Sequence, residues 1–239
     1  QRGKSDKVDA LRIARYAARF LDKARLVGKD HLRMLKVRQL LSKRELLMRD
    51  KAKRTKQITD MNSYMEKGLS KVFDAMDRKI ERVLEQAIAK VDALISEAIA
   101  EHPQTKERYD LVRSVYGIGP VLATHLVALT DDLTRFTTPR SLACHAGVAP
   151  FGRTSGSSLN GKPHVSKRAN KKLKMLLHMS AMRVIREEGE LREYYLRKVQ
   201  EGKNRMLVLN NVRNKIIHRV FAVLDRGTPY DHQRHLQMT

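Results

Sequence analysis

The spacing of apolar residues along this chain predicts helix almost everywhere, with one glycine- and serine-rich break. Between Asp6 and Val27, apolar positions at Val8, Leu11, Ile13, Ala14, Ala17, Ala18 and Leu21 recur at helical intervals. From His31 to Glu101 there is no proline and a single glycine, Gly68, which suits two long helices folding back near Gly68. The second half of that stretch places Leu69, Phe73, Met76, Ile80, Val83, Ala87, Val91, Leu94 and Ala98 at steps of mostly three and four, a near-heptad seam ended by Pro103. Such a seam pairs within one chain as a helical hairpin, or between protomers.

From Tyr109 the pattern shortens. Residues 109–130 read as helix, a Gly117-Ile118-Gly119-Pro120 turn, and a second helix. Leu142–Ala149 is small and apolar, and Pro150–Pro163 is expected to be a loop. Helices are expected at about Ser166–Glu187, Glu190–Gln200 and Asn204–Arg226, with Ser166 as an N-cap and with Gly202 and Gly227 closing the last two. On the first of these, Leu173, Leu176, Leu177, Ser180, Ala181 and Val184 would face inward. That leaves Lys167, Lys171, Lys172 and Lys174 for solvent or phosphate.

Charge sharpens this picture. The 239 residues carry 49 Lys and Arg against 26 Asp and Glu, a formal charge of +23. Self-repulsion on that scale is costly unless a polyanion relieves it, and nucleic acid is the usual partner. The excess is also local. Between Asp132 and Glu187 there is no acidic residue, while Arg135, Arg140, Arg153, Lys162, Lys167, Arg168, Lys171, Lys172, Lys174, Arg183 and Arg186 all fall there. The heptad region mixes both signs as a solvated helix does. Cys144 is the only cysteine, which excludes a disulfide framework or a Cys-rich zinc site and fits a reducing compartment. No apolar run approaches the roughly 20 residues a membrane span needs, and no signal-peptide pattern opens the chain. A first residue Gln1 followed at once by the charged stretch Arg2–Asp9 reads as a fragment of something longer.

Three constellations could carry chemistry. The Gly117–Pro120 turn has a helix-hairpin-helix pattern, in which Gly117 and Gly119 let backbone N–H groups approach a phosphate; in an αα-corner the same glycines serve only packing. The segment Arg153–Gly161 is dense in hydroxyls. It offers a mobile serine nucleophile among cations, or else a phosphate-gripping surface formed by Arg153, Gly156, Ser157 and Lys162 with Lys167, Arg168, Lys171 and Lys172. Asp6 and Asp9, three residues apart, share one helical face and could hold a divalent cation; a helix N-cap and a first-turn acid are the plainer roles. The histidines His125, His145, His164, His178 and His218 show no zinc spacing, and Tyr194-Tyr195 reads as helix packing.

Taken in order, Lys4-Ser5-Asp6-Lys7-Val8-Asp9-Ala10, Gly117-Ile118-Gly119-Pro120, Arg135-Phe136, Ala146-Gly147-Val148-Ala149-Pro150, Ser155-Gly156-Ser157-Ser158 and Val165-Ser166-Lys167 form a more specific signal than any one of them. The chain resembles the DEDD transposases of bacterial insertion sequences, a family that includes pilin-gene invertases and bridge-RNA-guided recombinases. The resemblance covers nearly the whole chain and is strongest from Tyr116 to Lys174. It implies a mainly α chain: the end of an α/β RuvC-like domain at 1–28, a coiled-coil or helical arm at 29–105, a transposase domain at 106–230 with the catalytic serine loop, and a basic tail at 231–239. It further implies magnesium held by four acids, of which Asp6 and Asp9 match the last two, and Ser155 as the nucleophile that forms a phosphoserine link to DNA. Strand exchange in a homo-oligomer, dimer or tetramer, built through the arm, would follow, with a guide RNA as a further partner and the bacterial cytoplasm at the nucleoid as the location. The first two acids of the set would precede Gln1, so this chain alone is expected to bind nucleic acid without cutting it. Two other readings stand beside this one: a non-catalytic helical DNA- or RNA-binding architectural module, and a RuvC-type nuclease acting through metal-bound water.

Overall fold

Leu111, Val112 and Val115 end one helix, and Leu122, Ala123 and Leu126 begin the next turns of another. Their side chains leave water only if the two helices fold against each other, and all six are buried. The computed structural model describes residues 5–23, 29–62, 64, 66–131, 135–155, 159–165 and 168–231. The chain is mainly α, as expected. In order come α1 (Asp6–Arg19), α2 (Lys29–Asn62), α3 (Lys67–Ala100), α4 (Pro103–Ser114), α5 (Pro120–Leu129), α6 (Pro139–His145), β1 (Phe151–Ser155), β2 (Leu159–His164), α7 (Lys171–Val184), α8 (Glu190–Gln200) and α9 (Arg205–Arg226).

The domain core is organised on α9. Val208, Val212, Ile216, Ile217, Val220 and Val223 are buried, and the helix packs on α4, α6, α7 and α8. Helix α5 is enclosed on almost every side, Leu122 through Ala128 being buried, because α2, α4 and α7 all lie against it. Among the described residues no helix is long and apolar enough to cross a membrane.

The arm is an antiparallel helical hairpin of α2 and α3. The reversal falls between Asn62 and Lys67, so Gly68 sits inside the first turn of α3 rather than at the bend. The near-heptad seam is realised only in part. Val91 and Ala98 are buried as the spacing requires, but Ile95 at 5% exposure takes the place expected of Leu94, which is 37% exposed. Farther out, Leu69, Phe73, Met76, Ile80 and Val83 are all exposed. Polar links hold the hairpin there instead: Lys51–Glu85 at 2.6 Å, Arg54–Asp77 at 3.1 Å, and the Thr55 hydroxyl donating to Glu81 at 3.0 Å. The face α2 offers is too polar to cover an apolar stripe.

Three other expectations are corrected. The helix expected from Asp6 to Val27 ends at Arg19, with Phe20 as its C-cap and a 3-10 turn at Leu21–Lys23; it buries none of its residues. The segment expected to be a loop at Pro150–Pro163 is an antiparallel β-hairpin, with Phe151 opposite His164, Arg153 opposite Gly161, Thr154 opposite Asn160 and Ser155 opposite Leu159. A ladder satisfies the backbone groups that a loop leaves to water, and the register shift between Phe151 and Arg153 accommodates an extra residue. The lysine helix begins at Lys171 rather than Ser166, because the Asn170 side chain accepts from the Leu173 N–H at 3.0 Å and takes the capping role. Ser166, and residues 232–239 of the expected basic tail, lie outside the described residues.

Candidate nucleic-acid interface

The root of the serine hairpin is fixed from below. After α6, Gly147 turns the chain at φ +66°, a conformation glycine adopts without strain, and a Cβ there would stand 2.6 Å from that of Ala169. The N–H groups of Val148 and Ala149 both donate to the Ala143 carbonyl, at 2.9 and 3.2 Å. From α9, the Asn210 amide donates to the Val148 carbonyl at 2.6 Å. On the return side, the Asn170 N–H donates to the His145 carbonyl at 2.8 Å. The two ends of the hairpin are thereby tied to α6, α9 and the start of α7.

Ser155 is the last residue of β1, opposite Leu159. Arg153 lies on the same strand and Lys162 on its partner, near the register shift. Gly156, Ser157 and Lys167 lie outside the described residues. Arg168 is exposed just before α7, and Lys171, Lys172 and Lys174 occupy the first turn of that helix, which holds no acid. Cations at a helix N-terminus add to the positive end of its dipole, so the arrangement costs stability unless an anion relieves it.

One of these lysines has a protein partner. Lys172 Nζ lies 3.1 Å from Oε1 of Glu45, on α2, and the same oxygen lies 3.1 Å from Nε2 of His125, on α5. Partial burial opposes ionisation of Glu45, yet the hydrogen bonds from His125 and Lys172 outweigh it and hold the carboxyl below its usual range. Glu45 thus ties the arm to both the Gly117–Pro120 helix and the lysine helix.

A buried cation is linked through Asn210 to the Val148 carbonyl before the hairpin. Arg213 on α9 is 6% exposed. Its Nη2 donates to His178 Nδ1 at 2.7 Å and its Nη1 to Asn210 Oδ1 at 3.4 Å, while its Nε has no partner. Burial, and then the Arg213 charge, push His178 below its ordinary range; burial, and then Arg135, do the same to His145. Both imidazoles are therefore held neutral in the fold. Neither Asn210 nor Arg213 is singled out by the sequence, since each gains meaning only from contacts 35 to 62 residues away.

For Gly117, the packing role is the one the geometry supports. Its φ is +88°, a Cβ would stand 2.3 Å from Val184 Cγ1, and its carbonyl accepts from the Ser180 hydroxyl at 2.8 Å. The turn is pressed against α7. Gly119, the N-cap of α5, has φ −82° and open space where a Cβ would be.

Asp6 and Asp9 lie apart from these features. The Ser5 side chain accepts from the Val8 N–H at 3.4 Å and caps α1, which leaves both carboxylates exposed in the first turn. Asp9 pairs with Arg12 at 3.5 Å. α1 buries none of its residues, so both acids stand on an exposed helix. Among the described residues no group of three or more His, Cys, Asp or Glu side chains is placed to hold a metal.

Residues 109–196 match the Transposase IS116/IS110/IS902 family, a span running from α4 through the serine hairpin and α7 into α8. The uncharacterized 44.8 kDa protein of insertion element IS116 from Streptomyces clavuligerus is 35% identical over 126 residues, 53% of this chain and 31% of that protein. The pilin gene-inverting protein of Moraxella lacunata is 26% identical over 242 residues, 98% of this chain and 70% of that protein. A probable family 20 transposase of Pseudomonas aeruginosa is 27% identical over 135 residues, 55% of this chain and 40% of that protein. The chain spans about a third of the length of the insertion-element proteins from Streptomyces that it matches.

Proposed function

We propose that this chain is part of a DNA transposase or site-specific recombinase in which Ser155 attacks the DNA backbone. The observation that carries the reading is the juxtaposition of two features. The strand β1, which ends in Ser155, follows a turn anchored on α6 and α9, and the chain returns to a helix whose first turn holds Lys171, Lys172 and Lys174 and no acid. The family match spans both features, and the relatives named as a transposase and as a gene-inverting protein support DNA as the substrate.

In the proposed step, Ser155 Oγ forms a bond to the scissile phosphorus and the P–O bond to one deoxyribose breaks. The departing sugar oxygen takes up a proton in place of the one the serine loses. The phosphoserine keeps the energy of the broken diester, so a sugar hydroxyl from another strand can rejoin by the reverse attack. Arg153, Lys162, Arg168 and Lys171 neutralise phosphoryl oxygens, and Gly156, Ser157 and Lys167 are further proposed contacts to the nucleic acid. Gly119 leaves room for a backbone phosphate at the start of α5. Asp6 and Asp9 are the two carboxylates this chain would contribute to magnesium, which when bound offsets developing negative charge. Among the described residues no third acidic ligand joins them. A guide RNA is a second polyanion that the same basic surface would accept, and pairing of arms between copies is the proposed route to an oligomer.

In a longer protein that carries this chain and completes the acidic set, Ser155→Ala is expected to abolish covalent protein–DNA adducts, while DNA affinity changes by no more than about threefold. Adducts that persist in that variant, or that map to Ser157 or Ser158, overturn the assignment. Metal-dependent nicking that survives loss of Ser155 without any covalent link would identify a hydrolytic nuclease instead.

A further inference from the structure

Glu45 is the carboxylate from the arm that enters the basic surface of the hairpin and α7. Two nitrogens from two helices converge on one of its oxygens: Oε1 lies 3.1 Å from His125 Nε2 and 3.1 Å from Lys172 Nζ. His125 is 4% exposed, and its other ring nitrogen, Nδ1, lies 2.7 Å from the Val121 carbonyl oxygen. A carbonyl and an ionised carboxylate can only accept. Each nitrogen of the ring therefore faces an acceptor, Nδ1 the backbone carbonyl and Nε2 the carboxylate. The charged groups that face it are Glu45 from α2 and Lys172 from α7.

The carboxylate oxygen sits between an imidazole ring nitrogen and an ammonium, and a phosphodiester oxygen would meet the same two groups at that place. Lys172 and Glu45 both reach solvent, with side chains 37% and 31% exposed, whereas the His125 side chain is 5% exposed and is covered on its Nε2 side by Glu45. Withdrawal of Glu45 alone would leave the Lys172 ammonium and the His125 ring nitrogen without their shared anionic acceptor, and a backbone phosphate would take its place. We propose that His125 and Lys172 form a phosphate-binding site for the nucleic-acid backbone, held in this structure by the arm's own Glu45, and that a DNA phosphate displaces Glu45 and releases the arm from the lysine helix. This rests on the nucleic-acid reading above.

The test compares Glu45→Gln with Glu85→Gln in the full chain, against a 30-base-pair DNA duplex followed by fluorescence anisotropy over a salt series. Both substitutions remove one negative charge from the arm, and Glu85 lies in an exposed pair with Lys51. Glutamine at position 45 keeps an acceptor for His125, so the fold is retained. The expected result is that Glu85→Gln changes affinity less than about twofold, whereas Glu45→Gln tightens binding about fivefold. In the unaltered chain, the nitrogen NMR signals of the His125 ring should move on saturation with duplex. Equal affinities for the two variants, or His125 signals unmoved by duplex, overturn the displacement and leave a fixed cross-tie. Absence of duplex binding by every variant overturns the nucleic-acid reading itself, and this inference with it.

Discussion

At the scale of single residues, the positions that matter most are those where one atom decides between two roles. Gly117 could have served a phosphate or a packed turn, and Val184 Cγ1 at 2.3 Å from any added Cβ favours the turn. Gly117→Ala is expected to destabilise the domain by about 2 kcal/mol or more, through both the φ of +88° and the clash with α7. Gly119→Ala should fall within about 0.5 kcal/mol; thermal unfolding of the two variants side by side checks the contrast. The neutral imidazoles His145 and His178 make a second residue-level case. Their folded values lie below the ordinary value near 6.5, so the unfolded chain takes up protons first as pH falls. Stability contributed by holding them neutral is intact above about pH 6.5 and is lost as pH falls toward the depressed folded values. His178→Asn is expected to flatten the acid limb of a stability–pH profile, and an unchanged limb would locate the titration elsewhere.

At the scale of elements, α7 brings together the features on which the functional reading depends, and its own cap is testable. Asn170→Ala removes the acceptor for the Leu173 N–H and should cost about 1 kcal/mol. Lys171→Gln with Lys174→Gln should leave folding intact and lower the salt dependence of DNA binding by about one counterion for each lysine. An unchanged salt slope would mean that DNA does not follow this helix. The sequence made much of this element legible, because a helix buries one stripe: Leu173, Leu177, Ser180, Ala181 and Val184 are buried as the spacing requires. The lysines were legible as charge. Glu45 as the partner of Lys172 was not, since no local pattern links a residue on α2 to one on α7. The hairpin was hidden for a different reason. Glycine, serine and proline mark irregular backbone, and what converts residues 151–164 into a ladder is the anchoring of both roots by Ala143, Asn210 and the His145 carbonyl, none of which lies inside the segment.

At the scale of the whole molecule, the arm and the domain follow different rules. The domain closes a core around α9, whereas the arm leaves an apolar stripe open along its outer half. Leu69, Phe73, Met76, Ile80 and Val83 are 38–63% exposed on one helix, at the spacing that a helical partner would fill. Within the hairpin α2 meets α3 there through Lys51, Arg54 and Thr55. The seam legible in the sequence therefore describes a surface more than a core, and the proposed pairing of arms between copies would cover it. Replacing Phe73 and Met76 together by glutamate puts two charges into that stripe without touching a residue of the domain core. Sedimentation velocity at tens of micromolar is expected to show the unaltered chain as an oligomer and the double variant as a monomer with unchanged thermal stability. A monomeric unaltered chain, or a double variant that still assembles, would place the oligomer interface, if one forms, away from the outer arm.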